Sequence, residues 1–151
     1  MKKVDNGILE KIYYIDNELS KKIYDEFEYF IKPKECFTNV GYVCEIIKDD
    51  PKFKDIEVVY GAWEVENIQS NTKLFCRHCF LLLDDKVVDP TFFTTTTKKN
   101  PKYISIKKFS IKEYSKAIEE SDLNTSLNSY VENAYREAHT YLLSNNILLV
   151  G

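Results

Sequence analysis

The sequence has no apolar run approaching the roughly 20 residues that a membrane-spanning helix needs. Its opening residues, MKKVDNGILEKIYYIDNELS, start basic but hold no apolar stretch long enough for a signal peptide. A cytoplasmic protein with no membrane partner is expected, and its four cysteines should stay reduced. Positive charge is scarce as well. A formal net charge of -3 and a pI near 5.5 leave no basic footprint, which excludes general nucleic-acid binding. Arginine is nearly absent: Arg77 and Arg136 are the only two among 21 basic residues. Histidine is limited to His78 and His139, so few side chains could serve as a base near neutral pH. No internal repeat or linker interrupts the 151 residues. A single domain is expected, with an N-terminal helical part over 1–32, a central part over 33–107 and C-terminal helices over 108–151. A domain of this length buries about 70% of the surface its unfolded chain exposes, and needs no staple.

Core material is ample, since 14% of the residues are aromatic. Leu19, Ile23, Phe27 and Phe30 recur at three- and four-residue steps and predict an amphipathic helix over about 17–31. Ile8, Ile12 and Ile15 either extend it or form a separate first helix. Pro33 breaks the pattern. A second helix is predicted over 36–48, with Cys36, Val40, Val43, Cys44 and Ile47 on its inner stripe, so that Cys36 opens a helix. The stretches IEVVYGAWEV (56–65), KLFCRHCFLLL (73–83), KVVDPTF (86–92) and YISIKKF (103–109) read as strands. A tight turn at Asp84-Asp85 joins the second and third, while ENIQSNT (66–72) and TTTTKKNPK (94–102) read as polar loops. Ser110 and Glu113 form a capping-box pattern opening a helix to Glu120. A last helix is predicted over 126–144, with Leu127, Val131, Ala134, Ala138 and Leu142 on one face. Helices, then about four antiparallel strands, then helices make the class α+β.

The stretch FCRHCFLLLDDKVVDP, residues 75–90, concentrates the chemistry. Cys76-x-x-Cys79 has a familiar metal-ligand spacing, but a structural zinc site takes four ligands and no second Cys or His pair follows. Strand alternation also sends Cys76 and Cys79 to opposite faces. No metal and no other cofactor is expected. A redox pair would need a helix N-terminus after the first cysteine, and FLLLDD follows instead. Strand packing of two small apolar thiols is the simpler account. A third reading joins distant residues. Cys36 stands at a helix N-terminus, where partial positive charge and free amides favour a thiolate. A two-residue turn at Asp84-Asp85 would pair Phe80 with Asp89 and His78 with Thr91. It would also place His78 and Asp89 diagonally on one sheet face, about 7 Å apart at the backbone. An acid beside an imidazole fixes its tautomer and stabilises the imidazolium. A Cys-His-Asp relay follows if the helix brings Cys36 to that face. Each residue also has a plain role open to it: Cys36 and His78 as core residues, Asp89 before Pro90 as a turn residue. His139 is the rival base, placed at the margin of the last helix's apolar stripe. Tyr60 and Trp63 alternate to opposite faces of their strand, so at most one lines a cleft with His78.

In order, ECFTNVGYV, YGAWEV, RHCFLL and VVDPTF resemble the papain-like superfamily, closest to its transglutaminase-like branch of small bacterial and phage proteins. The resemblance covers about 36–92. It implies a minimal papain-like or transglutaminase-like fold, with a nucleophile helix on an antiparallel sheet and flanking helices. It also implies a thiol-dependent hydrolase or transamidase acting on a protein or peptide amide. Cys36 would be the nucleophile, His78 the general base and acid, and Asp89 the orienting carboxylate. Papain-like peptidases place a Gln upstream of the Cys for the oxyanion, whereas the one Gln here, Gln69, lies downstream. The oxyanion donors would then be the Cys36 amide together with Asn39 or the Trp63 indole. A catalytically silent module of the same fold that binds a protein partner is the alternative.

Overall fold

The computed structural model describes residues 8–65, 73–95 and 100–151. The predicted loop 66–72, with Gln69, and part of the predicted loop 94–102 lie outside the described residues. Among those described, four α-helices and five strands form an α+β fold: α1 (Asn17–Phe27), α2 (Cys36–Ile47), β1 (Glu57–Val65), β2 (Lys73–Leu83), β3 (Lys86–Val88), β4 (Tyr103–Ser110), α3 (Ile111–Glu120), α4 (Asn128–Leu143) and β5 (Ile147–Val150). No helix of the described residues is long and apolar enough to cross a membrane.

The sheet runs β3-β2-β1-β4 with antiparallel neighbours, and β5 pairs in parallel with β2. One edge of β2 is fully taken by β1, from Glu57↔Leu82 to Val65↔Leu74. The other edge is shared. β3 covers residues 81–83 and β5 covers 73–76, so no strand of the described residues pairs with 77–80 there. Asp84 and Asp85 both take positive φ, 52° and 62°, the backbone of a two-residue hairpin turn whose twist suits the strands. The resulting register, Leu83↔Lys86 through Leu81↔Val88, is the one the acidic turn implies.

Strand alternation divides the core in two. On one face Val58, Tyr60, Ala62, Phe75, Cys79 and Leu81 pack under α2, α3 and α4. On the other, Val59, Trp63, Phe80, Leu82, Val87 and Tyr103 meet Tyr13, Ile15 and Phe92. Helix α2 buries Val40, Val43, Cys44 and Ile47, each 4% exposed or less. Fully burying an aliphatic side chain of this kind contributes about 1.5–3 kcal/mol.

Several elements differ from expectation, each for a local reason. Residues 8–15 make no regular α-helix. Ile8–Glu10 form a 3-10 turn, and Tyr13 and Ile15 form bridges to Tyr103 and Val87. Alternation wins there, because Tyr13 and Ile15 are buried while Tyr14 between them is exposed. Helix α1 starts where Asp16 accepts from Leu19 N at 3.0 Å and stops at Phe27, so Ile31 is buried and Phe30 is not. Strand β3 ends at Val88, where Asp89-Pro90 leaves the ladder, and Phe92–Thr94 form a 3-10 turn. Helix α4 buries Tyr135 rather than Ala134, because the Tyr135 hydroxyl donates to Gly61 O at 2.8 Å. The last residues are not helical: Asn146 takes φ 61°, which ends the helix, and Ile147–Val150 form the fifth strand.

Candidate active site

Cys36 stands at the first position of α2. Lys34 at φ 64° turns the chain into Glu35, whose side chain makes no capping bond. Asn39 N donates to Glu35 O, the first helical bond, so the amides of Cys36, Phe37 and Thr38 have no intrahelical acceptor. The thiol lies at the uncovered edge of β2, where the backbone N–H of Cys79 donates to Cys36 Sγ at 3.5 Å. Helix α2 therefore packs on the face opposite to His78, and Cys36 reaches the imidazole around the sheet edge instead of across a shared face. Cys36 is near enough to the imidazole that its thiol helps to raise the His78 pKa. Cys36 is partly exposed, whereas His78 is 3% exposed and Asp89 has no exposed surface.

His78 Nε2 and Asp89 Oδ2 are 2.7 Å apart, in the diagonal relation the hairpin register implies. With Nε2 engaged by the carboxylate, Nδ1 is the ring nitrogen left for the thiol. Trp63 stacks on the imidazole with centroids 3.8 Å apart and planes 5° from parallel, which fixes the ring's tilt. Burial pulls the His78 pKa down. The Asp89 charge and hydrogen bond, with smaller contributions from Cys36, outweigh it and raise the value to about 9. The raised pKa favours the imidazolium, which Asp89 holds on one side.

Asp89 is itself held from four directions. Its Oδ2 also accepts from the Tyr103 hydroxyl at 2.8 Å, and its Oδ1 accepts from Thr91 N at 2.9 Å. Its own N–H donates to Ser20 Oγ at 3.0 Å. These donors hold the buried carboxylate in one orientation against the imidazole. Tyr103, Thr91 and Ser20 were not singled out in the sequence, and no linear pattern marks them.

Asn39 does not stand ready as an oxyanion donor. Its Nδ2 donates to Lys32 O at 2.8 Å and to Thr91 Oγ1 at 2.9 Å, and its Oδ1 accepts from Lys32 N at 3.0 Å. Both amide hydrogens are committed, and the residue ties the start of α2 to the turn after Asp89. Trp63 meets the site through its ring face against His78, while Tyr60 lies on the other face, stacked on Phe37 at 5.5 Å. His139, the rival base, lies on α4 beside Arg136 and Arg77, away from Asp89. Cys79 is buried among apolar residues and Cys76 packs against the opposite cluster, so the two side chains diverge as alternation requires. No disulfide links the four cysteines.

Comparison with protein-family models, with curated proteins and with solved structures finds no match to this chain.

Proposed function

We propose that the protein is a cysteine-dependent acyl-transfer enzyme acting on a protein or peptide amide, of the papain-like, transglutaminase-like kind. The observation that carries this reading is the buried Asp89–His78 pair beside a partly exposed thiol at a helix N-terminus, whose sulfur accepts from the N–H of the residue next to His78. The chain order fits it too: a nucleophile helix, then a strand bearing the histidine, then the acid just past a hairpin.

The chemistry follows from the contacts. An imidazolium beside a thiol is the setting in which a thiolate forms, and the Cys79 N–H adds a donor to the sulfur. The thiolate sulfur attacks the amide carbonyl carbon, and the C=O electron pair moves onto oxygen. The uncapped amides of the first turn of α2, Cys36 among them, are the donors available to that oxyanion. Collapse breaks the C–N bond as His78 gives its Nδ1 proton to the leaving amine, leaving a thioester on Cys36. The neutral imidazole then takes a proton from the incoming water or amine. Its attack expels the Cys36 thiolate and gives an acid or a new amide. Asp89 keeps the second ring proton on Nε2 throughout. A cytosolic setting, where thiols stay reduced, suits this chemistry.

The test is a burst experiment with p-nitrophenyl acetate. One equivalent of p-nitrophenol should be released rapidly, with the acetyl group found on Cys36 by peptide mass spectrometry. Cys36→Ala should abolish the burst and His78→Ala should slow it at least tenfold. Acetylation spread over lysines and several cysteines, with no burst, would leave a catalytically silent binding module.

A further inference from the structure

We propose that Arg77 forms a carboxylate-binding subsite beside the nucleophile, so that the amide substrate carries an acidic group close to the scissile bond. As a statement about the substrate this rests on the acyl-transfer reading; as a statement about binding it stands alone.

Both arginines of a chain whose other 19 basic residues are lysines (21 less two) line one cavity of about 450 Å³. Tyr135, Glu132 and His139 share it, and the chain's last residues, 149–151, form a further wall. Arg77 is exposed, and its guanidinium lies 4.3 Å over the Tyr135 ring. That stacking holds the planar fork in one orientation, so little freedom is lost when it binds. Tyr135 is anchored in turn by its hydroxyl bond to Gly61 O. Of the two guanidinium groups in this wall, that of Arg136 is matched by Glu132 at 3.2 Å and that of Arg77 is in no ion pair among the described residues. A guanidinium fork with unmatched donors fits a carboxylate bidentately, which lysine does not do.

None of Cys36, His78 and Cys79 lines this cavity, but β2 runs from it to the thiol. Arg77 and Cys79 are two apart on the same face of β2, about 7 Å at the backbone, and Cys79 N–H is the group that donates to Cys36 Sγ. An extended peptide advances about 3.3 Å per residue, so a carboxylate held by Arg77, at the end of a long side chain, lies within roughly two to four residues of the bond that Cys36 attacks. An Asp or Glu side chain and a peptide's terminal carboxylate are the two sources of that group.

The experiment uses Cys36→Ala protein, which binds without turnover, and follows the Arg77 Nε–H resonance by NMR. Three probes are titrated: acetyl-Gly-Glu-amide, acetyl-Gly-Gly with a free carboxylate, and acetyl-Gly-Gly-amide. One or both carboxylate peptides should shift the resonance saturably, the better one naming the source, and the neutral peptide should not. Binding followed at Tyr135 should weaken at least fivefold when Arg77→Gln is added, and recover only in part with Arg77→Lys. No shift from either carboxylate peptide, an equal shift from the neutral one, or equal binding by Arg77→Gln would overturn the subsite. Because Cys36 is absent from this protein, a failed nucleophile would leave these shifts intact. A working burst without them would refute the subsite alone.

Discussion

The protonation of His78 should make the fold lose stability as pH rises through the neutral range. The ring has only 3% of its surface exposed, and burial alone would favour the neutral form. Asp89 reverses that balance, and the folded-state pKa is raised from 6.5 to about 9. A pKa raised on folding means that the folded state holds its proton more tightly than the unfolded chain. The stabilisation is therefore fully present below about pH 6.5 and is lost as pH passes through about 9. At about 1.4 kcal/mol for each tenfold change in proton affinity, this corresponds to roughly 3 kcal/mol. Urea unfolding followed by far-UV circular dichroism, with thiols kept reduced, measures it. Cys36→Ala protein and the same protein with His78→Gln added are compared from pH 6 to pH 9.5, since glutamine cannot titrate and the thiol that interacts with His78 is removed from both. The stability difference should shrink by about 3 kcal/mol across that range. A difference that stays flat would mean that His78 titrates as in the unfolded chain. One that grows with pH would mean that burial outweighs the carboxylate and the ring is neutral. Either result would refute the imidazolium on which the proposed chemistry depends.

Asp89→Asn keeps the shape of the carboxylate but places an N–H₂ or an amide oxygen opposite His78 Nε2. The burst rate should fall by about 10³–10⁴, as in hydrolases whose histidine is held in the wrong tautomer, while circular dichroism shows a folded protein; near-normal turnover would remove Asp89 from the relay. At neutral pH, limiting iodoacetamide should modify Cys36 first, because burial raises the Cys44 pKa to about 12 and pushes Cys79 well above the usual thiol range. Labelling should slow in His78→Ala, and peptide mapping that finds Cys36 reactive only after unfolding would make it a core residue. Asn39→Ala strands the Lys32 backbone groups and the Thr91 hydroxyl, and should cost about 2–4 kcal/mol in urea unfolding; unchanged stability would contradict its structural role. Gly61→Ala places a Cβ 2.0 Å from Ile104 O at the β1–β4 register shift, and should cost about 3 kcal/mol or more. An unchanged melting temperature would show that the strands can part there.

Those tests weigh on parts of the molecule that differed in how legible they were beforehand. Helix α2, the long strands β1 and β2, the acidic hairpin and the Ser110–Glu113 capping box each combine a strong local pattern with a local stop signal. Local chemistry decides such elements, and they were readable. The N-terminal segment was not, because Ile8, Ile12 and Ile15 fit a helical stripe while Tyr13 and Ile15 also fit strand alternation. Only the presence of Tyr103 and Val87 as bridge partners decides between them. Strand β5 had a usable signal, an Asn pair followed by Ile-Leu-Leu-Val. Its pairing with β2, more than 70 residues earlier, depends on the whole chain being folded.

The site divides in the same way. The meeting of His78 and Asp89 was legible because one turn sets their register over eleven residues. The route by which Cys36 joins them was not, since α2 packs on the other face of the sheet. Among the described residues, β3 covers only 81–83 of that edge of β2 and β5 only 73–76, which leaves 77–80 without a strand partner there. A longer β3 would seal the edge, satisfy the Cys79 N–H with a strand partner and part the thiol from the imidazole. Asp89-Pro90 is what keeps β3 short, for Pro90 has no N–H to extend the ladder. The same dipeptide thus supplies the carboxylate beside His78 and ends the strand that would otherwise cover the Cys36 thiol. Asp89 therefore matters twice over, once through its side chain and once through where its backbone leaves the sheet.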